Sequence, residues 1–290
     1  MKTMFFRRMM LGWLLLTLLA IPFQITQAKQ ASTPEVLLMR FSGAVTPAME
    51  LYIQRGIARA DQMGVDLVVF ELNTPGGQVD IMNNIVQDIR ASKVPVAVYV
   101  SPRGAMAASA GALITLAGHA AAMAPETIIG AASPVGSQGE DIGETMEAKT
   151  KEALMATVRT LTANRSPEAV KLAQEMVETA RAVSAQEALK AGVIDFIAVD
   201  VDDLLAQLNG YTVLVLDQQV VLNTTNAEKS ELPSSLIEQI LATLTNPNIV
   251  FILLSIGVQA ILIELSSPGG WVAGFIGVVC IALAIYGLGV

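Results

Sequence analysis

The chain has 290 residues, of which 53% are hydrophobic and 15% are charged. This composition is too apolar for a disordered protein and more apolar than an ordinary soluble domain. The net charge of -8 argues against a nucleic-acid-binding protein, because such proteins need a concentrated basic surface. The single cysteine, Cys280, excludes an internal disulfide and a cysteine-based metal cluster, and the single histidine, His119, excludes a two-histidine zinc site. We therefore expect neither a metal nor a cofactor.

The first 28 residues have the pattern of a secretory signal peptide. Three basic residues precede an apolar run over residues 9–23, and Thr26 and Ala28 supply the small residues of a cleavage site. The run is short for a membrane span, and an uncleaved anchor helix is the alternative interpretation. Both interpretations export the chain that follows residue 29.

The end of the chain contains two apolar stretches, residues 249–265 and 271–290, separated by the turn-forming sequence Ser-Ser-Pro-Gly-Gly. Each stretch approaches the roughly 20 residues that cross about 30 Å of hydrocarbon. Gln259 and Glu264 would then face a neighbouring helix or the interface, since a bare charge in lipid is costly. We expect a transmembrane helical hairpin over residues 249–290, and the alternative is a buried helical hairpin of a soluble protein.

These two ends predict a multi-pass protein of the cell membrane. After removal of a signal peptide, the middle of the chain is expected on the exported side, periplasmic or extracellular. Because the chain ends at Val290 without a polar residue after the second apolar stretch, we expect more of a membrane domain to follow. The lipid bilayer is thus an expected partner, and nucleic acid is not.

Residues 29–223 alternate short β-branched runs with helical patterns. Predicted strands cover 36–41, 65–72 and 96–100, and predicted helices cover 47–63, 79–89 and 106–116. In the second helix, Ile81, Ile85 and Ile89 belong to one apolar face. The strands are almost continuously apolar, which is typical of a parallel sheet covered on both faces.

The chain from residue 144 to 191 is predicted to be mostly helical. Ser166 followed by a proline marks the start of a new helix, and Gly192 marks the end of the last one. Late strands are predicted over 193–199 and 211–222. Residues 224–248 are expected to form a linker to the membrane part, since residues 223–233 are mostly polar.

The first chemistry-bearing motif is Asn-Thr-Pro-Gly-Gly, residues 73–77, which lies between a predicted strand and a predicted helix. Gly76 and Gly77 allow positive φ and leave backbone N–H groups uncovered, so the motif can face an anion or a developing oxyanion. A tight turn without any ligand is the alternative.

A second strand-to-helix corner follows at residues 101–111. Ser109 is surrounded there by alanine and glycine, so nothing bulky shields its hydroxyl or the Ala110 amide. A nucleophile needs such access, together with a nearby donor for the oxyanion. The alternative is a small-residue helix packed closely on the sheet.

A nucleophilic serine also needs a base. His119 is ten residues further on, about 15 Å away along a continuous helix at about 1.5 Å per residue. A Ser-His-Asp triad is therefore disfavoured, and we expect His119 to cap helix carbonyls. The other route is a lysine whose pKa is lowered by burial. Lys149 and Lys151 follow a loop at 136–141; Lys151 shares a face with Leu154, and Lys149 lies on a different face. The pattern does not choose between them, and a solvated surface role is the alternative for each.

Together these motifs resemble the membrane-bound serine proteases of the NfeD family, also called stomatin-operon partner proteases. The family is related to signal peptide peptidase A and the Clp protease within the crotonase-like fold. The resemblance spans the signal peptide, residues 74–77, 105–111 and 130–136, and the apolar hairpin introduced by Asn-Pro-Asn at 246–248. It implies an α/β fold class, in which a crotonase/ClpP-like parallel-sheet serine protease domain over 29–223 is followed by the transmembrane helical hairpin.

By this resemblance Ser109 is the nucleophile, Lys149 the general base, and the Gly77 and Ala110 amides the oxyanion hole. The family's lysine precedes by ten positions the basic residue of a Lys/Arg-Ser/Thr-Leu motif, which here begins at Arg159. Residues 143–150 otherwise match the family poorly, so Lys151 stays an alternative. The loop and helix start over 136–150 are expected to order or bury the lysine when substrate arrives.

The resemblance implies an ATP-independent endopeptidase that cleaves apolar segments of membrane proteins. A stomatin- or prohibitin-like membrane protein is the expected substrate or partner, and a homodimer or larger homo-oligomer is the expected assembly. Two other functions stay open: a non-catalytic membrane scaffold, and an acyl-CoA enzyme of the crotonase type. Export argues against the second, because CoA is an intracellular cofactor.

Overall fold

The computed structural model describes residues 33–135, 143–266 and 270–288. The expected signal peptide and the loop at 136–141 lie outside the described residues. The strands are β1 Glu35–Ser42, β2 Leu67–Asn73, β3 Val96–Val100, β4 Met106–Ala108, β5 Ala120–Met123, β6 Ile128–Gly130, β7 Ala182–Ser184, β8 Phe196–Ile197, β9 Thr212–Val215, β10 Gln218–Val221 and β11 Glu228–Glu231. The helices are α1 Pro47–Met63, α2 Val79–Ala91, α3 Ala110–Ala117, α4 Glu144–Leu161, α5 Pro167–Glu178, α6 Ala185–Ala191, α7 Val201–Leu208, α8 Leu236–Leu244, α9 Pro247–Ser266 and α10 Val272–Leu288.

The largest sheet in the described part of the chain has six strands in the order β11-β1-β2-β3-β5-β8, and every neighbouring pair is parallel. A short second sheet has the order β4-β6-β7, and its first strand follows β3 in the chain. The antiparallel hairpin β9-β10 forms a third sheet. The prediction of an α/β domain with a parallel sheet, followed by apolar helices, is confirmed.

The period-2 alternation of the strands divides the core into two layers. Along β2, Val68 and Phe70 pack into the layer under α1, α2 and α3, whereas Leu67 and Val69 pack into the layer under α7 and the β9-β10 hairpin. Because both faces are covered, the central strands are apolar at nearly every position. The apolar face predicted for the second helix is also confirmed, since Ile81, Ile85 and Ile89 are buried on α2.

The segment 224–248, expected to be a linker, contains a strand and a helix instead. Its strand β11 pairs in parallel with β1, so that the sheet domain extends through Glu231. The Tyr52 hydroxyl donates to the Leu232 carbonyl at 2.7 Å, and Arg40 forms ion pairs with Glu71 on β2 and Glu231 on β11. The sequence of β11 is polar because it is an edge strand, and charged residues at an edge disfavour pairing with other chains.

The helix predicted over 106–116 begins later than expected. Residues 106–108 form β4, which pairs with β6, and α3 starts at Ala110. Ala107 also forms a parallel bridge with Thr74. Alanine is a strong helix former, so tertiary pairing overrides the local preference here.

The later elements agree with the predictions in part. The Ser166 hydroxyl caps α5 by accepting from the Ala169 N–H at 3.1 Å, and Gly192 ends α6 with a φ of 79°. The strand predicted over 193–199 shrinks to β8, and the strand predicted over 211–222 is the β9-β10 hairpin, which turns at Leu216 and Asp217. Both residues of this turn have positive φ.

The chain ends in two apolar helices that pack closely. By length and composition α9 can cross a membrane, whereas α10 is apolar but shorter. A Cβ on Gly277 would lie 2.9 Å from the Gly257 carbonyl oxygen, and a Cβ on Gly257 would lie 3.1 Å from the Gly277 oxygen. The helices therefore approach through glycines, as membrane helices commonly do.

Candidate active site

Ser109 occupies a sharp turn between β4 and α3. Its φ of 52° and ψ of -120° are rare for a residue with a side chain, and such a conformation costs about 1–3 kcal/mol. Hydrogen bonds on both sides hold it: the Ser109 N–H donates to the Gly130 carbonyl at 2.7 Å, and the Ala108 N–H donates to the Thr74 carbonyl at 3.0 Å. The two bonds fix Ser109 in a strained strand-to-helix turn.

The Ser109 hydroxyl is not used to cap the helix that it precedes. Ser166 and Ser235 accept a hydrogen bond from their own helices, but Ser109 makes no such bond at the start of α3. The side chain is half-buried and faces a cavity. Its oxygen is consequently available for reaction.

Gly76 gives Ser109 the space that it occupies. A Cβ on Gly76 would lie 2.6 Å from the Ser109 Cβ and 3.2 Å from its Oγ, and the Gly76 φ is 109°. Any side chain here would displace the serine. The first glycine of the Asn-Thr-Pro-Gly-Gly motif is therefore required by a close approach as well as by its backbone conformation.

Gly77 lines the same cavity as Ser109 and forms a backbone bridge with Val45. In its parallel bridge with Val45, the Val45 N–H donates to the Gly76 carbonyl at 2.8 Å and the Gln78 N–H donates to the Val45 carbonyl at 3.0 Å. The N–H of the central residue in such a bridge points away from the partner strand. Within the described ranges the Gly77 N–H donates to no acceptor. Ala110, as the first residue of α3, likewise has an N–H without an intrahelical acceptor.

The side chains of Asn73 and Thr74 join the two corners. The Asn73 Oδ1 accepts from the Met106 N–H at 3.1 Å, and the buried Thr74 Oγ1 accepts from the Gly76 N–H at 3.1 Å. A Cβ on Gly111 would lie 2.4 Å from the Thr74 Cγ2, which explains the glycine at position 111. The sequence indicated two separate corners, and the structure shows one interlocked unit.

Gly77, Ser109 and Ala110 line a cavity of about 930 Å³. Most of its other lining side chains are apolar, among them Val45, Met82, Leu113, Pro134 and Leu154. The end of α10 also contributes, through Tyr286, Gly287 and Leu288. Sequence reasoning missed Val45 and the α10 residues, because neither segment carries a motif that points to a site.

Neither candidate lysine is among the residues that line the cavity with Ser109. Lys149 is exposed near the start of α4 and is not among the residues that line the cavity, although Leu154 of the same helix is. The Lys151 Nζ forms an ion pair with the Glu147 Oε1 at 3.0 Å. Residues 144–150 are the first turns of α4, in agreement with the helix predicted from residue 144.

His119 lies at the opposite end of α3 from Ser109 and does not line the cavity. The expectation that it caps helix carbonyls is wrong, because its Nδ1 accepts from the Val96 N–H of β3 at 3.0 Å. Burial lowers its pKa to about 4, and the Arg90 charge adds to this effect. His119 is thus a neutral structural residue.

The lowered pKa predicts a stability change on acidification. Below pH 6.5 the unfolded chain binds a proton that the folded protein binds only near pH 4, so stability is full above pH 6.5 and falls toward pH 4. At pH 5 the loss is about 2 kcal/mol. Asparagine keeps an acceptor near the Nδ1 position, so we expect the thermal midpoint of His119→Asn to fall several degrees less than that of the wild type between pH 7.5 and 5. Parallel curves for the two proteins would contradict this assignment.

Comparison with known proteins agrees with this architecture. The family model for the NfeD1b N-terminal domain matches residues 35–232, and the model for the NfeD integral membrane domain matches residues 248–290. Membrane-bound protease PH1510 of Pyrococcus horikoshii is 37% identical over 287 residues, covering 98% of this chain and 63% of PH1510. Membrane protein NfeD1b of Bacillus subtilis is 29% identical over 288 residues, covering 97% of this chain and 62% of that protein. The chain thus spans less than two thirds of the length of these curated relatives.

Solved structures resemble the sheet domain. Two are of 1510-N, described as a membrane-bound stomatin-specific protease: a serine-to-alanine mutant, and a lysine-to-alanine mutant in complex with a substrate peptide. The first has a TM-score of 0.65 at 35% identity and covers 70% of this chain and 100% of its own. The second has a TM-score of 0.66 at 34% identity and covers 73% and 97%. The family matches extend from the sheet domain through the apolar helices, and the chain belongs to the NfeD family.

Proposed function

We propose that this protein is an ATP-independent, membrane-anchored serine endopeptidase with a Ser-Lys dyad. The observation that carries the proposal is the Ser109 turn. The Ser109 hydroxyl does not cap α3, and Ser109 lines the same cavity as Gly77 and Ala110. A nucleophile beside two backbone donors is the arrangement that acyl transfer needs. The named protease relatives support the same chemistry.

In the proposed reaction, neutral Lys149 takes the Ser109 proton while the Ser109 Oγ attacks the scissile carbonyl. The oxyanion accepts hydrogen bonds from the Gly77 and Ala110 N–H groups. The protonated lysine then gives its proton to the leaving amine, and an acyl-enzyme remains. Water, deprotonated by the same lysine, attacks the ester and releases the second product.

The choice of Lys149 rests on register within the family. The serine and lysine replaced in 1510-N lie 41 positions apart, whereas Lys149 and Lys151 follow Ser109 by 40 and 42 positions. The spacing from the serine therefore fits both lysines equally well. Lys149 is preferred because it precedes Arg159 by ten positions, as the lysine of the family precedes the corresponding basic residue. Both lysines belong to the start of α4, whose buried residues, Leu154 and Val158, lie in later turns.

For either lysine, the start of α4 has to approach Ser109. A lysine acts as a base in its neutral form, which loss of water favours. An apolar substrate that covers the first turns of α4 supplies this desolvation. Catalysis would in this way depend on the substrate that completes the site.

The lining of the cavity favours apolar substrates. A peptide segment rich in aliphatic residues would bury its side chains against Val45, Met82 and Leu113, and each fully buried aliphatic side chain contributes about 1.5–3 kcal/mol. A stomatin-like membrane protein is the proposed substrate, because the relative 1510-N is described as specific for a stomatin homologue. We further propose that α9 and α10 cross the membrane as a hairpin, that the sheet domain lies on the exported side, and that the protein acts as a homo-oligomer.

The dyad is tested by cleavage of a soluble aliphatic peptide with the full chain in detergent. We expect Ser109→Ala and Lys149→Ala each to lower kcat by about a thousandfold or more, because they remove the nucleophile and its base. Lys151→Ala and the exposed control Lys171→Ala should keep wild-type rates. If Lys151→Ala is the inactive lysine variant, Lys151 is the base; if Ser109→Ala stays active, the proposal fails. A scaffold would cleave nothing, and an acyl-CoA enzyme would instead turn over an acyl thioester.

The close approach of Gly76 gives a second test. The Cβ of Gly76→Ala would meet the Ser109 Cβ, so we expect a displaced serine and a loss of about 100-fold in kcat. Gly104→Ala is the matched control, since Gly104 also has a positive φ, 80°, but a Cβ there has nothing within 4 Å. Equal effects of the two substitutions would show that backbone strain alone, and not contact with Ser109, decides the outcome.

A further inference from the structure

Helix α8, between the sheet domain and the apolar helices, exposes large apolar residues and buries a carboxylate. Its apolar residues Leu236, Ile237 and Ile240 are 72%, 66% and 49% exposed, whereas Glu238 is only 5% exposed. A helix on the surface of a soluble domain usually buries the apolar residues and exposes the charge. The outward face of α8 is therefore suited to an apolar environment.

The buried Glu238 fixes α8 to the sheet domain. Its carboxylate accepts two hydrogen bonds from Arg55 of α1, at 2.7 and 2.8 Å, and one from the Ser235 N–H at 2.7 Å. The Arg55 guanidinium also donates to the Pro233 carbonyl and lies 5.6 Å from the centre of the Tyr52 ring. Burial raises the pKa of Glu238, but the hydrogen bonds from Arg55 and Ser235 outweigh this effect and the pKa is lowered. The pair is a bidentate, ionised clamp.

The same helix adjoins both ends of the apolar hairpin and the catalytic cavity. Helix α9 begins at Pro247, directly after α8, and the end of α10 packs against α8, where a Cβ on Gly287 would lie 2.2 Å from the Leu244 carbonyl oxygen. Thr245 and Tyr286 line the cavity that holds Ser109. A membrane that surrounds α9 and α10 would reach its surface at α8, beside this cavity.

We infer that α8 lies in the interfacial layer of the bilayer, with Leu236, Ile237 and Ile240 among the lipids, and that the Arg55–Glu238 clamp thereby holds the catalytic cavity at the membrane surface. The inference deepens the proposed function, on which it rests for the membrane hairpin and for proteolysis. Because α8 leads directly into the hairpin that is proposed to cross the membrane, lipid is the occupant that we assign to its exposed apolar face. An apolar segment could then enter the cavity from the bilayer without crossing water.

The composition of α8 sharpens the inference. Residues 236–244 contain no lysine or arginine, so attachment depends on apolar burial and not on anionic headgroups. Binding of α8 to lipid should consequently be the same in phosphatidylcholine vesicles as in vesicles that also contain phosphatidylglycerol.

Depth-dependent quenching tests the location of α8. Ile237→Cys is labelled with an environment-sensitive dye in a full-length Cys280→Ala background and reconstituted in both kinds of vesicle. Val221→Cys is the matched control, because Val221 is 65% exposed on β10, over the core layer opposite α1. We expect lipids with a quencher near the headgroup to quench the dye at 237, equally in both vesicles, and not the dye at 221. If the dye at 237 is quenched no more than the dye at 221, the inference is overturned. This holds both for a face exposed to water and for a face that binds a protein.

Cleavage tests the consequence for substrates. We expect Ile237→Glu combined with Ile240→Glu to lower cleavage of a membrane-embedded apolar segment about tenfold or more, and to leave cleavage of a soluble peptide unchanged. Val221→Glu should change neither rate. Equal loss with both substrates overturns the positioning role. If the dye at 237 is quenched but the wild type cleaves neither substrate, the proposed function fails while the location of α8 stands.

The clamp is tested separately as a positioning element. Arg55→Glu should lower cleavage of the embedded segment and spare the soluble peptide, and the exchange Arg55→Glu with Glu238→Arg should restore it. Arg59→Ala, on the exposed side of the same helix, is the control. If the exchanged pair does not restore cleavage of the embedded segment, while cleavage of the soluble peptide is unchanged, the positioning role of the clamp is contradicted.

Discussion

The site depends on one backbone conformation, the positive φ of Ser109, which two carbonyls hold in place. Gly130 receives the Ser109 N–H, and Thr74 receives the N–H of the preceding residue. Each carbonyl belongs to a different strand-to-helix or strand-to-loop corner, so the turn forms only when the small sheet and the end of β2 are both in place. The strain at Ser109 is thus offset by the tertiary structure around it.

The glycines of the Asn-Thr-Pro-Gly-Gly motif follow from this constraint. Gly76 has to lie against the Ser109 Cβ, and the neighbours of Gly77 bond to Val45. The membrane part adds a second constraint, since the end of α10 and the residue after α8 border the same cavity. Ser109, Gly77, Ala110 and the end of α10 consequently meet in one region of the fold, and the proposed mechanism requires the start of α4 to approach that region.

Features that depend on local chemistry could be predicted from the sequence. The apolar periodicity of α2 and the continuous apolar strands indicated a covered parallel sheet, and the small residues around Ser109 indicated an accessible serine. Features that depend on distant pairing could not. The polar strand β11 looks like a linker until β1 is beside it, and β4 looks helical because alanine favours helices. The partner of His119 could not be predicted for the same reason, since its role as an acceptor depends on the position of β3. The lysine is the least predictable residue, because helical spacing sets its face but only the position of α4 sets its distance from Ser109.

The most direct test of the central claim is the structure of the protein after reaction with a serine-directed phosphonate. The account predicts a covalent adduct on Ser109, with the phosphonyl oxygen at hydrogen-bond distance, about 2.7–3.1 Å, from both the Gly77 and the Ala110 nitrogen. An adduct on another residue, or an adduct on Ser109 whose oxygen points away from these two amides, would contradict it.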